Sequence, residues 1–269
     1  MTVKAEKKKT NTKKIVCRVL AGVAAFFAVE WTFIGWQYHF GPLKFLGELR
    51  LQGMPGNGEA YDFSHIEPMA NSPLEGRTVL FLGSSVTNGA AALHQSIPEY
   101  FAARMGCTVI KEAVDGTTLC DNGKTSYIQR MLNNVDPNQE THLLVCQLST
   151  NDASKGMPLG EFGDDTSTIT GAIEYIIRYA KKTWNCPVVF YTNARFESDA
   201  YSAMVGRLRE IAERDGAGVL DLWSGDMFNQ ISEEERTLYM KDEIHPYKAG
   251  YRDWWGPELE KQMITYLKQ

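Results

Sequence analysis

The chain has 269 residues, of which 43% are hydrophobic, and its formal net charge at pH 7 is −5. A chain of this length and composition can bury a complete core, most simply as one domain with an appendage. Residues 1–36 hold seven Lys or Arg against two Glu, a net charge of +5, so the remainder carries −10. Because binding to a phosphate backbone needs a basic face, the acidic main body excludes nucleic acid as an expected partner.

The N-terminal segment has the pattern of a membrane-targeting sequence. Six lysines within residues 1–14 precede an apolar stretch, residues 15–36, that only Arg18 and Glu30 interrupt. Twenty-two helical residues span roughly 33 Å, about the thickness of the hydrocarbon core of a bilayer. The positive charge before this stretch predicts a cytoplasmic tail at 1–14 and a chain that lies outside the cytoplasm beyond about residue 40.

Three interpretations of the apolar stretch remain open. Its full length favours an uncleaved anchor, which would leave the rest of the chain membrane-bound. Its uninterrupted core from Val19 to Val29 also has the length of a cleaved signal peptide, which would give a secreted protein. The third interpretation is a helix buried in the protein. The segment that follows, residues 37–76, is rich in Gly, Pro and Met, and we expect a juxtamembrane linker that partly packs on the domain.

The pattern from residue 77 to residue 269 predicts an α/β domain. Apolar strand candidates alternate with segments of helical periodicity. The strands are expected at 78–83, 108–113, 142–148, 187–192 and 217–222, and the helices at 95–105, 124–134, 168–183, 200–214 and 247–267. Short strands that alternate with helices of this length predict βαβ units, and therefore a parallel sheet of about five strands.

Four polar motifs fall at the ends of these strands or in loops on the same side. The Gly-Ser-Ser turn at 83–85 follows the first strand, residues 115–118 follow the second, and residues 149–152 follow the third. The Asp-Glu-Ile-His segment at 242–245 precedes the last helix. In open α/β sheets ligands bind at the carboxyl edge of the strands, so we expect these motifs to share one site.

The residue types at this edge are those of a serine hydrolase. A serine hydroxyl needs an adjacent base, and His245 is the best candidate because Asp242 lies three residues before it. The aspartate would fix the imidazole tautomer and stabilise the imidazolium that forms. His94, which is close to the serine turn in sequence, is a minor candidate. The pattern alone does not choose between Ser84 and Ser85.

Acyl transfer also needs donors that face the developing oxyanion, each worth roughly 3 kcal/mol. Three are available: the backbone N–H groups of Ser85 and Gly116, and the side-chain amide of Asn151. The five cysteines show no C-x-x-C spacing, so a zinc site is not expected, and whether any pair forms a disulfide stays open.

With these motifs, the chain resembles the SGNH hydrolases, also called the GDSL esterase/lipase family, over roughly residues 77–267. The usual Gly-Asp-Ser-Leu block stands here as Gly83-Ser84-Ser85-Val86, which assigns the nucleophile to Ser85. The second block matches Gly116, the third (usually Gly-x-Asn-Asp) matches residues 149–152, and the Asp-x-x-His block matches Asp242 and His245. The resemblance thus assigns the triad to Ser85, His245 and Asp242, and the oxyanion hole to Ser85, Gly116 and Asn151.

The resemblance implies a three-layer sandwich with a flavodoxin-like sheet and a metal-independent cleavage of esters, without a cofactor. Together with the N-terminal segment it predicts an extracytoplasmic serine esterase that hydrolyses acetyl or short-chain acyl esters on a carbohydrate or lipid, with a small-molecule or glycan acyl ester as substrate. An O-acyltransferase that passes the acyl group to a cell-envelope glycan is the alternative, because the two reactions differ only in the acceptor. A non-catalytic glycan-binding protein on the same fold is the third possibility.

Overall fold

The computed structural model describes residues 2–38, 41, 43 and 45–268. Positions 1, 39, 40, 42, 44 and 269, which belong to the predicted tail, linker and hydrolase domain, lie outside the described residues. The chain divides into two compact units, Met1–Met54 and Pro55–Gln269. The division falls within the segment 37–76 for which the sequence predicts a linker.

The first unit consists of two helices, α1 (Thr2–Tyr38) and α2 (Phe45–Gln52). Within α1, the 21 residues Lys13–Phe33 have a mean hydropathy of 1.7, and none of this apolar stretch is buried. The helix is therefore long and apolar enough to cross a bilayer. An N-terminal helix of this kind is compatible with both a membrane anchor and a signal sequence.

The second unit begins with three short 3₁₀ turns, Pro55–Asn57, Glu59–Tyr61 and Phe63–His65. Phe63 and Leu74 are both buried against the core of this unit. The part of the predicted linker that follows residue 54 therefore packs on the α/β unit.

A five-stranded parallel sheet forms the centre of the second unit. Its strands are β1 (Thr78–Gly83), β2 (Thr108–Ala113), β3 (Leu143–Gln147), β4 (Val188–Tyr191) and β5 (Gly218–Leu220). They pair in the order β2-β1-β3-β4-β5, the flavodoxin-like order. The predicted α/β fold with a parallel sheet of about five strands is confirmed.

Helices connect the strands as the periodicity indicates. The longer ones are α4 (Ile97–Met105), α5 (Tyr127–Asn134), α7 (Ile169–Thr183), α8 (Asp199–Asp215) and α10 (Gly256–Leu267). Three shorter helices lie in the loops: α3 (Ser85–Asn88), α6 (Thr150–Ser154) and α9 (Glu233–Tyr239). The last predicted helix differs in its first part, because a π-helical turn, Gly250–Trp255, precedes α10.

Side chains of the central strands pack alternately on the two faces of the sheet. Leu80 and Leu82 belong to the core that contains α5, α7 and α8, whereas Val79 and Phe81 belong to the core that contains α4 and α10. This alternation is the period of two that a strand imposes on its side chains. Because both faces are covered by helices, the central strands β1, β3 and β4 are nearly continuous apolar runs and the unit has three layers.

Candidate active site

The turn after β1 places Ser85 at the carboxyl edge of the sheet. β1 ends at Gly83, where a side-chain Cβ would lie 1.7 Å from Thr87 Oγ1, so only glycine fits. The chain then enters α3, which begins at Ser85 and closes on Gly89 in the left-handed conformation at φ 75°. The turn therefore places Ser85 at the start of α3, directly after the carboxyl end of β1.

Ser85, His245 and Asp242 form one hydrogen-bonded chain. Ser85 Oγ lies 2.8 Å from His245 Nε2, although the two residues are 160 positions apart in the sequence. His245 Nδ1 lies 2.9 Å from Oδ1 and 3.0 Å from Oδ2 of Asp242. With its proton on Nδ1, the imidazole donates to the carboxylate and accepts from the serine hydroxyl. His94 lies instead beside Asn88, with its Nδ1 3.3 Å from the carbonyl oxygen of that residue.

The Asp242 carboxylate is held as an anion. Partial burial opposes its ionisation, but hydrogen bonds from the His245 ring and from the backbone N–H groups of Ile244 and His245 outweigh this effect and lower its pKa to about 2. A carboxylate with this pKa stays ionised throughout the neutral range. It can therefore orient His245 and stabilise a positive charge on the ring.

The loop that carries Asp242 and His245 is fixed at both ends. Its flanks form an antiparallel bridge between Met240 and Pro246. The Lys241 N–H donates to the carbonyl oxygen of His245 at 2.9 Å. The fully buried Asn193, in the loop after β4, donates its amide to the carbonyl oxygen of Ile244 at 3.1 Å. These bonds restrict the position of the imidazole relative to the sheet.

Gly116 and Asn151, the other two residues predicted for the oxyanion hole, are linked through Thr117, which follows Gly116 and bonds to Asn151. Gly116 has a φ of 71°, in the left-handed region that favours glycine, and its Cα faces open space. Asn151, in the first turn of α6, donates its side-chain amide to the carbonyl oxygen of Thr117 at 3.0 Å. This bond uses one of the two N–H donors of the amide. Lys155 donates from Nζ to the carbonyl oxygen of Gly116 at 2.5 Å.

Asp152 connects the third motif to the loop that contains Gly116. Its carboxylate is fully buried and accepts from the backbone N–H groups of Leu119 at 2.7 Å and Cys120 at 2.9 Å. Because these two donors would otherwise be buried without partners, the carboxylate stabilises the loop. Asp152 therefore joins α6, which carries Asn151, to the segment that follows Gly116.

The two adjacent serines of the turn face different surroundings. Ser84 is fully buried, and its backbone N–H donates to Gln147 Oε1 at 3.0 Å. The same oxygen accepts from the backbone N–H and the hydroxyl of Thr87, at 3.2 and 2.8 Å. Ser84 thus lies on the interior side of the turn, whereas the Ser85 hydroxyl contacts the imidazole of His245.

Arg130 links the first two motifs from the interior. Only 3% of its side chain is exposed, and it forms an ion pair with Glu112 at 3.1 Å. Its guanidinium also donates to the carbonyl oxygen of Gly83 at 2.7 Å and to Thr117 Oγ1 at 3.1 Å. A buried cation is tolerated here because its donors meet acceptors. The residue holds the end of β1 against the Gly116 loop.

The sequence did not reveal the structural role of four buried residues that hold the loops of the site in place. They are Gln147, Asp152, Arg130 and Asn193. Three of them leave a signal: Asp152 ends the third motif, Gln147 is a polar residue within an apolar run, and Arg130 lies among the buried positions of α5. Among the described residues, no cluster of three or more His, Cys, Asp or Glu could hold a metal ion.

Comparison with known proteins identifies relatives of this fold. Among solved structures, a protein from Lactobacillus plantarum has 20% identity and a TM-score of 0.59, with 72% of this chain and 97% of that chain covered. A protein described as a GDSL-like lipase, from Bacteroides ovatus, has 15% identity and a TM-score of 0.54, with 72% and 99% covered. An acetylxylan esterase from Geobacillus stearothermophilus has 15% identity and a TM-score of 0.51, with 72% and 95% covered.

At these identities the structural similarity shows a shared fold. Among curated proteins, no sequence matches the chain significantly. The model of the GDSL-like Lipase/Acylhydrolase family matches residues 81–252, which is well over half of the chain and includes all the motifs described above. The chain therefore belongs to the GDSL-like lipase/acylhydrolase family, as its resemblance to the SGNH hydrolases implied.

Proposed function

We propose that this protein is a membrane-anchored, extracytoplasmic serine esterase that hydrolyses acetyl or other short acyl esters on a carbohydrate or lipid. One observation carries the proposal: the hydrogen-bonded chain that runs from Ser85 Oγ through His245 to Asp242. Membership in a family of lipases and acylhydrolases supports ester hydrolysis in general. To ester hydrolysis in general, the proposal adds two more specific points: the serine mechanism and the substrate class.

In the first half of the reaction, Ser85 becomes acylated. Its hydroxyl gives a proton to His245 Nε2 while Oγ forms a bond to the carbonyl carbon of the ester. The tetrahedral intermediate collapses when the imidazolium returns this proton to the leaving oxygen. The bond between the carbonyl carbon and that oxygen breaks, and the alcohol departs. Asp242 remains ionised and stabilises the imidazolium.

In the second half, water releases the acyl group. His245 removes a proton from a water molecule, whose oxygen attacks the carbonyl carbon of the acyl-enzyme. The bond from Ser85 Oγ to this carbon breaks, and Oγ recovers its proton from the imidazolium. The products are a carboxylic acid and the free enzyme. If a sugar hydroxyl replaced water, the same steps would transfer the acyl group.

The oxyanion of both tetrahedral intermediates needs donors on one side of the carbonyl. We assign this role to the backbone N–H groups of Ser85 and Gly116 and to the side-chain amide of Asn151. The placement of Asn151 beside the Gly116 loop, through its bond to Thr117, supports this assignment. Each donor would stabilise the transition state by roughly 3 kcal/mol.

The proposed substrate class rests on the predicted location of the domain outside the cytoplasm and on the activity of one structurally similar protein. An exported domain would meet esters of the cell envelope, and one of the similar structures is an acetylxylan esterase. The loop after β4 lines an open cavity of about 450 Å³ together with residues 226–236. Asn193, two residues before Arg195 in this loop, bonds to the carbonyl oxygen of Ile244 in the loop that carries His245.

Hydrolysis of a small activated acetyl ester tests the proposal. We expect the full-length wild type to release acetate, and Ser85→Ala to lose this activity. Ser84→Ala is the matched control, because it removes a neighbouring hydroxyl but keeps the backbone bond to Gln147. Equal rates for the wild type and Ser85→Ala would overturn the proposal. Addition of acetylated glycans, and analysis of products for transferred acetyl groups, separates hydrolysis from transfer.

A further inference from the structure

Residues 55–65, which we call the strap, precede the part of the chain that matches the family model, residues 81–252. The strap consists of the three 3₁₀ turns at the start of the second unit. Its side chains make hydrogen bonds to two segments that are far apart in sequence. One follows the helix that carries Ser85, and the other follows His245.

On the histidine side, the strap holds Lys248, which lies three residues after His245 and is buried. Asn57 Oδ1 accepts from the backbone N–H of Lys248 at 3.0 Å, and Asp62 Oδ2 accepts from its Nζ at 2.9 Å. The backbone of the strap also packs closely here, since a Cβ on Gly56 would lie 2.9 Å from Tyr247 Cβ. The strap therefore fixes both the backbone and the side chain at this position.

On the serine side, the strap holds residues 91–95, which follow α3. Asn57 Nδ2 donates to the carbonyl oxygen of Ala91 at 2.8 Å. Gln95 donates from Nε2 to Asp62 Oδ2 at 2.7 Å and accepts at Oε1 from the backbone N–H of Phe63 at 2.9 Å. Each of these bonds involves a side chain, either from the strap or from residues 91–95, and joins the strap to those residues.

Asn57 and Asp62 thus each join both segments. Asn57 bonds to Ala91 and Lys248, and Asp62 bonds to Gln95 and Lys248. The hydrogen bond from Lys248 is the main cause that lowers the pKa of Asp62 well below its usual range, so a full anion faces the buried ammonium. Removal of the anion would leave a buried cation without its partner, which is costly.

The alignment of nucleophile and base depends on how these segments dock. Ser85 and His245 come from opposite ends of the family domain and must meet at hydrogen-bond distance. A displacement of about 1 Å at a reacting group can cost about 10²-fold in rate. Asn57 and Asp62 bond to the segments that follow Ser85 and His245. They are therefore well placed to prevent such a displacement.

We propose that Asn57 and Asp62 are positioning residues that hold Ser85 and His245 in reactive alignment through the strap. The inference rests on the proposed serine mechanism. It assigns a role in the reaction to a segment that lies before the family domain. Neither residue touches the substrate in this account, and their effect passes through Lys248 and residues 91–95.

The test compares full-length variants in detergent, below the temperature at which any of them unfolds. Asp62→Asn keeps the shape of the side chain but removes its charge. Glu260→Gln is the matched control, because Glu260 is also a partly buried acid and joins α4 to α10 through Arg104, and its carboxylate accepts from Tyr100 and Arg104 rather than from Lys248 or Gln95. Lys248→Met removes the same link as Asp62→Asn without leaving a buried unpaired cation.

Two readouts distinguish positioning from general stability: the split between kcat and KM for a small acetyl ester, and the rate at which an organophosphonate labels Ser85. We expect Asp62→Asn and Lys248→Met to lower kcat and the labelling rate by about tenfold, with KM within about twofold of wild type. Glu260→Gln should keep both rates within about twofold.

The inference is overturned if folded Asp62→Asn and Lys248→Met retain wild-type kcat and labelling, or if Glu260→Gln loses as much as they do. Such a result would leave the proposed esterase intact, since the wild type would still depend on Ser85. A wild type whose turnover does not differ from that of Ser85→Ala would instead contradict the proposed function, and this inference with it.

Discussion

His245 lies between a hydroxyl and a carboxylate, and the carboxylate decides which ring nitrogen carries the proton. Asp242→Asn replaces an acceptor by an amide that can also donate, so the ring can be held in the unproductive tautomer. We expect kcat for a small acetyl ester to fall by about 10⁴-fold with little change in KM. Glu243→Gln, in the same loop, is the control and should keep its activity.

The pKa of Asp242 also predicts how stability depends on pH. The carboxyl titrates near pH 2 in the folded protein, below its ordinary value of 3.8. Its contribution is therefore fully present above about pH 3.8 and is lost as the pH falls toward 2. The difference in unfolding free energy between wild type and Asp242→Asn should shrink over this range. A difference that grows on acidification would contradict the assignment.

At the scale of single residues, the sequence predicts which side chains can take part in the reaction better than it predicts the direction in which they point. The Asp-x-x-His spacing indicates which histidine could be paired, because it depends on a local turn. Ser84 and Ser85 are equivalent in the pattern, and only the resemblance to a family chooses between them. The structure separates them through Gln147, which is 60 residues or more from either serine and contacts the turn from β3.

At the scale of elements, the end of β3 supports the turn between β1 and α3. Gln147→Leu would leave the N–H groups of Ser84 and Thr87 buried without an acceptor. We expect a loss of at least about 2 kcal/mol in unfolding free energy, measured by denaturant titration. Gln230→Leu, at an exposed loop position, should change stability by less than about 0.5 kcal/mol. Similar losses in both variants would contradict this role.

The regular elements follow from the sequence because their signals are long. Except for β2, which contains Lys111 and Glu112, the strands are apolar runs, and the helices that pack on the sheet repeat apolar residues over two turns or more. The helices α3, α6 and α9 have four, five and seven residues, too few for a periodic signal. The π-helical turn before α10 keeps a helical pattern in sequence, so only its hydrogen bonds reveal it.

At the scale of the molecule, the N-terminal helix predicts attachment to a membrane. In a bacterial host, we expect the full-length chain to sediment with membranes, to resist extraction at alkaline pH, and to retain residues 1–36 by intact mass. A protease added outside the cells should digest the domain beyond residue 40. Protection of the domain in intact cells would contradict the exported orientation, and loss of the N-terminal segment would indicate a cleaved signal.

The parallel sheet and the placement of the motifs at one edge follow from the alternation of strands and helices, whereas the flavodoxin-like strand order is implied only by the resemblance to the SGNH hydrolases. The long-range bonds do not, because nothing in the sequence pairs Arg130 with Gly83 or Asp62 with Lys248. Such contacts depend on how distant segments dock, and a pattern of hydrophobicity carries no information about that. The strap in particular begins in a segment that composition describes only as a linker.

The central claim is that Ser85 carries the acyl group during turnover, and acid quenching of the reaction with an acetyl ester tests it most directly. Fragment masses of the peptide that contains Ser84 and Ser85 locate any acetyl adduct. The account predicts one acetyl group on Ser85 in the wild type and in Ser84→Ala, and none in Ser85→Ala. An adduct on Ser84, or continued hydrolysis by Ser85→Ala, would contradict it.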